Sequence, residues 1–201
     1  MKTKRYTKEE ISLLIAALDR GEIIAFPTDT VFGLACVCDN PQAIQKVKAA
    51  KNRDAEKPLP MMCANIAMVK HYAEVNEAAE RLMKAFFPGA LTLIFNKQRD
   101  VPAYVTNGKD SIGIRIPNTP FIVDIIQQLQ RPLLVTSANL SGEPSLRNWR
   151  DVEASLRGRI DGILCEDAKS ETASTIVDIR TDYRILRQGE ISAEAIAKVL
   201  R

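Results

Sequence analysis

The chain has 201 residues, 46% apolar and 26% charged, the composition of an ordinary globular domain, and one domain over residues 1–201 is expected. No uncharged apolar run reaches the ~20 residues that span a bilayer, and the basic start Met1-Lys2-Thr3-Lys4-Arg5 leads to Glu9 and Glu10 rather than to an apolar leader, so the cytoplasm is the expected compartment. A net charge of +3 permits an anionic partner without demanding one, while one histidine and four cysteines with no C-x-x-C spacing leave little for a protein-held metal or a Ser-His-Asp triad.

In chain order, Thr7-Lys8-Glu9-Glu10 reads as a capping box, and Ile11, Leu14, Ile15 and Leu18 share the face of a helix that ends at Gly21. A strand over Ile23 to Phe26 stops at Pro27 and opens into Thr28, Asp29 and Thr30, which is how a buried strand delivers polar groups to its end. Asn40-Pro41 starts a helix to about Ala50, with Ile44 and Val47 inward. The loop from Lys51 carries Arg53 and Lys57 and is followed by a strand over Leu59 to Cys63. Short helices follow Asn65 and Asn76, Phe86 to Gly89 is a stop and turn, and Leu91 to Phe95 is an apolar strand.

Residues 111–117 alternate, with Ile112, Ile114 and Ile116 on one face and Ser111, Gly113 and Arg115 on the other. A helix starts at Thr119-Pro120, and the strand Leu133 to Val135 ends in the polar run Thr136 to Gly142. A short helix after Asp151, a strand over Gly162 to Cys165, a hairpin formed by 174–179 and 183–187, and a helix capped by Ser192 complete the chain. This order predicts an α/β (α+β) fold, a mixed sheet with helices on its faces.

Taken singly, each polar cluster has a structural explanation. The cations of the 51–57 loop complement a helix C-terminus, Thr28 to Thr30 suit a turn, and Ser137 with Asn139 suits an Asx or Ser turn. Arg115 is harder to dismiss, because a cation inside an alternating strand needs a partner. Together they are hydroxyls, amides and cations at strand ends with no histidine base and no paired carboxylates, a set suited to phosphate, carboxylate or pyrophosphate groups. Neither G-x-x-x-x-G-K-[ST] nor G-x-G-x-x-G occurs.

Five segments resemble, in order and over nearly the whole chain, the YrdC/TsaC family of threonylcarbamoyl-AMP synthases in its single-domain form. They are Pro27 to Leu34, Lys51-x-Arg53 with Lys57-Pro58-Leu59, Ser137-Ala138-Asn139-x-Ser141-Gly142, Ser174 to Asp178, and Leu186-Arg187-x-Gly189. The resemblance implies a YrdC-like twisted mixed sheet with a concave basic cavity. It also implies that L-threonine, bicarbonate and ATP, with Mg²⁺ on the phosphates, give threonylcarbamoyl-AMP and pyrophosphate for tRNA modification. The family's roles would make Thr30, Arg115 and Ser174 the threonine site. Lys51 and Arg53 would be catalytic and, with Ser137 and Asn139, would bind ATP, with Lys57, Ser111, Ser145 and Arg187 around the nucleotide. The implied partners are tRNA or double-stranded RNA and proteins of the threonylcarbamoyl pathway.

One departure stands out. Met62 occupies the position of a threonine-contacting histidine in many synthases, and the Met-Cys run resembles the YciO branch, although both the Lys51-x-Arg53 and Ser137-x-Asn139 pairs are intact. The alternatives are therefore a YciO-type paralogue that binds nucleotide and/or double-stranded RNA with altered or weak synthase activity, and a related enzyme that keeps the ATP site but uses a different amino acid or carbamoyl acceptor. A mere RNA-binding module lacks stacking platforms at 5% aromatic content.

Overall fold

The helices start where side chains can take up their free N–H groups. In the computed structural model, which describes residues 2–201, Asn40, Asn65, Asn76 and Ser192 accept from the backbone N–H three residues on, at 3.0, 2.8, 2.8 and 3.2 Å. They open helices α2 (Pro41–Ala50), α3 (Ile66–Tyr72), α4 (Glu77–Phe86) and α8 (Ala193–Leu200). Helix α1 (Ile11–Asp19) is preceded by a 3₁₀ turn, Lys8–Glu10, in which Glu10 accepts from the Thr7 N–H at 3.0 Å. The remaining helices are α5 (Ala103–Thr106), α6 (Pro120–Leu129) and α7 (Trp149–Ser155). Helix α7 begins before the expected Asp151 because Asn148 caps it and Asp167 accepts from the Trp149 N–H at 3.1 Å.

All strands join one mixed sheet. They are β1 (Lys4–Tyr6), β2 (Ile24–Phe26), β3 (Gly33–Val37), β4 (Met61–Met62), β5 (Ala73–Glu74), β6 (Leu91–Lys97), β7 (Ser111–Arg115), β8 (Leu133–Ser137), β9 (Gly162–Leu164), β10 (Thr175–Asp178) and β11 (Arg184–Arg187). The order is β1-β9-β2-β3-β8-β4-β7-β6-β10-β11, with β5 paired to β6. The strand expected over Leu59 to Cys63 shrinks to Met61–Met62, since Pro58 and Pro60 lack the N–H a ladder needs.

Both faces of the sheet are buried. Ile24, Phe26, Ala35 and Val37 pack with α1 and α6, while Ala25, Leu34 and Cys36 point the other way into a core with α2, α4 and α8. The alternation of strand side chains assigns each residue its face. Cys36, Cys38, Cys63 and Cys165 are free thiols, and burial pushes all four up, Cys38 to about 11. Among the described residues no helix is long and apolar enough to cross a membrane.

Register then decides what meets at the end of the sheet. Gly33 lies opposite Ser137, Met62 opposite Arg115, Thr92 opposite Ile176, and Ile176 opposite Arg187. The turn of residues 27–32 covers this same end.

Candidate active site

A cavity of about 220 Å³ opens there, its wall including Thr28, Thr30, Met62, Thr92, Arg115 and Ser174. Arg53, Ser137, Ser145 and Arg187 also reach it. A second recess of about 240 Å³ contains Lys57 and Ser111 and shares Arg53, Pro60, Thr92 and Ile176 with the first. Together they fall in the range of small-molecule sites, about 300–1,000 Å³. Among the described residues no aspartate or glutamate lines either one.

The turn is built by Thr28. Its hydroxyl donates to Val31 O at 2.8 Å, accepts from the Thr30 N–H at 3.0 Å, and lies 2.9 Å from the Thr30 hydroxyl. This fixes Thr30 so that its Oγ1 accepts from Arg115 Nη1 at 2.9 Å. Arg115 Nη2 donates to the Asp29 carboxylate, which also accepts from the Asn118 N–H at 3.1 Å and the Thr119 hydroxyl at 3.3 Å. Asp29 therefore does more than shape the turn; it ties the turn to the corner between β7 and α6. Thr119 precedes α6 without capping it, its hydroxyl being committed to Asp29.

The opposite wall is held by Arg187. Its Nε and Nη2 donate to Ser174 O at 3.0 and 2.8 Å, and the Ser174 hydroxyl pairs with Thr92 Oγ1 at 2.8 Å. Gly189 makes this clasp possible, because a Cβ there would stand 2.2 Å from Ala173 O.

The charged side chains on the wall of the first cavity are guanidiniums. Burial lowers the pKa of Arg53, Arg115 and Arg187, and for Arg187 the neighbouring Arg115 adds to it. Among the described residues, Nε of Arg53 and of Arg115 is buried with no hydrogen-bond partner. An unpaired buried donor is costly, and the guanidinium groups of the same residues, which reach the cavity wall, suit an anion.

Lys51 and Asn139 stand behind this wall rather than on it. Lys51 is 1% exposed, and its ammonium donates to the carbonyls of Ser137 and Asn139, fastening the end of β8. Burial, with Arg53 adding to it, lowers its pKa to about 8. The Asn139 amide donates to Leu140 O at 2.9 Å and Glu143 O at 2.7 Å, closing the turn that leads to Ser145. The expected site residues thus divide between those that face the cavities and these two, which position the strand end. Sequence reasoning missed Thr92; its one signal is a hydroxyl on the Ile94 face of an apolar strand.

Residues 16–189 match the family model Sua5_yciO_yrdC, described as telomere recombination. The chain belongs to the Sua5/YciO/YrdC family. It is 34% identical over 198 residues to the threonylcarbamoyl-AMP synthase of Pyrococcus abyssi, covering 96% of this chain and 58% of that one. It is 32% identical to the threonylcarbamoyl-AMP synthase of Photobacterium profundum, covering 90% of this chain and all of the relative. The crystal structure of P. abyssi Sua5 complexed with L-threonine superimposes with a TM-score of 0.92 at 30% identity, over all of this chain and 61% of that one. The chain therefore spans about three fifths of the length of the archaeal Sua5 relative. The resemblance read from the motifs and the mixed α/β sheet flanked by helices are both borne out.

Proposed function

We propose that this Sua5/YciO/YrdC chain is an L-threonylcarbamoyladenylate synthase, a nucleotidyltransferase acting on ATP. The observation that carries the reading is the carboxylate-free cavity into which Arg53, Arg115 and Arg187 are turned, beside the Thr30 hydroxyl. Relatives of matching sequence are named threonylcarbamoyl-AMP synthases, and one was crystallised with L-threonine.

In this reading Arg115 and Thr30 hold the amino-acid carboxylate, and Ser174 with Thr92 orients the rest of it. Arg53 faces both recesses and stabilises the phosphates, with Ser137, Ser145 and Arg187 on one side and Lys57 and Ser111 on the other. One proton of the threonine ammonium passes to bicarbonate, which breaks down to carbon dioxide and water; the freed amine nitrogen then bonds to the carbon of carbon dioxide and loses a second proton to solvent. The resulting carbamate oxygen then attacks the α-phosphorus, the bond to the β-phosphate oxygen breaks, and pyrophosphate leaves with the electron pair. Such a transfer needs positioning and charge stabilisation more than a protein nucleophile. Mg²⁺ enters as part of the substrate MgATP, since the wall offers hydroxyls and guanidiniums and no carboxylate. Lys51 acts here by holding Ser137, not by touching phosphate.

The test is pyrophosphate release from MgATP. Release is expected only when L-threonine and bicarbonate are both present, and none above background with all three would overturn the reading.

A further inference from the structure

The cavity's guanidiniums are not equivalent. Arg115 is paired with the Asp29 carboxylate, whereas Arg53 donates to Pro58 O and Arg187 to Ser174 O, and among the described residues neither of those two forms an ion pair. Asp29 itself does not line the cavity, and three donors fix it: Arg115, the Asn118 N–H and the Thr119 hydroxyl. Asp29, with Glu190 adding to it, therefore offsets the charge of Arg115 at the Thr30 end, whereas Arg53 has only the more distant Asp54 beside it and Arg187 has Arg115 as its charged neighbour.

An end whose guanidinium is offset by a carboxylate, with a hydroxyl beside it, suits a zwitterion, which brings one carboxylate and one ammonium. A phosphate group brings up to two negative charges and no positive one, so the fixed Asp29 carboxylate repels it. Unit charges several ångströms apart inside a protein interact by amounts equivalent to about 10- to 100-fold in affinity. Selectivity obtained by repelling the wrong group is a general device.

We propose that Asp29 is a specificity-determining residue. By compensating Arg115, its carboxylate keeps phosphate out of the amino-acid end of the cavity and leaves the polyphosphate to Arg53 and Arg187. The inference rests on the reading of the Thr30 end as an amino-acid site. It adds that the two substrates are sorted by charge before any chemistry occurs.

The test is calorimetric binding of inorganic pyrophosphate to the whole chain, alone and in competition with L-threonine. In Asp29→Asn, pyrophosphate is expected to bind about 10- to 100-fold more tightly than to the wild type and to displace L-threonine competitively. Asp29→Glu, which keeps the charge, is expected to match the wild type. A change below threefold in Asp29→Asn overturns the proposal. So does an Asp29→Glu variant that behaves like Asp29→Asn, because the effect would then come from shape. Should Asp29→Asn fail to fold, the double variant Asp29→Asn/Arg115→Gln, which removes both charges, decides. Pyrophosphate affinity equal to the wild type supports the inference, and a tenfold loss shows that Arg115 already held phosphate and overturns it. These affinities need no turnover, so a wild type that releases no pyrophosphate from ATP defeats the proposed activity while the charge filter is judged separately.

Discussion

Replacing Lys51 by methionine separates positioning from folding. The substitution keeps the length of the stem and removes the donor. Ser137 O and Asn139 O lose their buried partner, at about 1–3 kcal/mol each, or ~2–6 kcal/mol together. Against this, the wild type buries an ammonium whose pKa falls from 10.5 to about 8, which costs it ~3 kcal/mol at neutral pH. The two effects nearly offset. The expected net loss is ~1 kcal/mol, or about 2–4 °C in Tm for a chain of this size. Turnover is expected to suffer far more: with the end of β8 no longer fastened, Ser137 shifts, and displacement by an ångström costs about 100-fold. The assays are thermal denaturation and pyrophosphate release. Wild-type turnover in Lys51→Met would refute the positioning role, and a fall in Tm above about 15 °C would refute the energy balance. The pH dependence supplies a check of sign. Between about 8 and 10.5 the folded protein has released the Lys51 proton and the unfolded chain still holds it, so wild-type stability rises with pH relative to Lys51→Met across that window. Below pH 8 the difference between the two is flat.

Arg53 reaches both recesses, so Arg53→Ala is expected to lower pyrophosphate release by about two to three orders of magnitude, measured at saturating ATP and threonine. A loss below tenfold would remove it from the transition state. Thr30→Val keeps the shape and deletes the acceptor for Arg115 Nη1, so the KM for threonine is expected to rise about tenfold while that for ATP holds within twofold. Equal changes in both constants would show that the hydroxyl serves the cavity as a whole.

Local chemistry made much of this molecule readable. Asn40, Asn65, Asn76 and Ser192 announce their helices because a cap is a contact within four residues. The 111–117 alternation placed Arg115 on the face opposite Ile112 and Ile114, and pairing with β6 and β4 confirms that face. What escaped was non-local. Strand β1 shows one buried residue, Tyr6, and exists because its neighbour β9 pairs with it. Thr92 matters only because β10 runs parallel to β6 in a register that brings Ser174 to it. Lys51 and Arg53 look alike in a basic loop, yet one turns inward to carbonyls and the other toward the cavity, a distinction set by the distant end of β8.

The cavity draws on residues from Thr28 to Arg187, and the turn that roofs it is laced to remote segments: Ser170 N–H to Thr30 O at 3.1 Å, Ala138 N–H to Phe32 O at 2.8 Å, Phe32 N–H to Leu146 O at 3.1 Å. Contacts between segments this far apart in sequence are expected to form late in folding, after the strands that bring them together have paired. A ligand in the cavity would rest on the same long-range contacts that complete the fold. A ligand held at a hundred times its Kd should add about 2.7 kcal/mol to unfolding of the whole chain rather than quieten one loop, which makes a melting curve a direct way to find out what the protein binds.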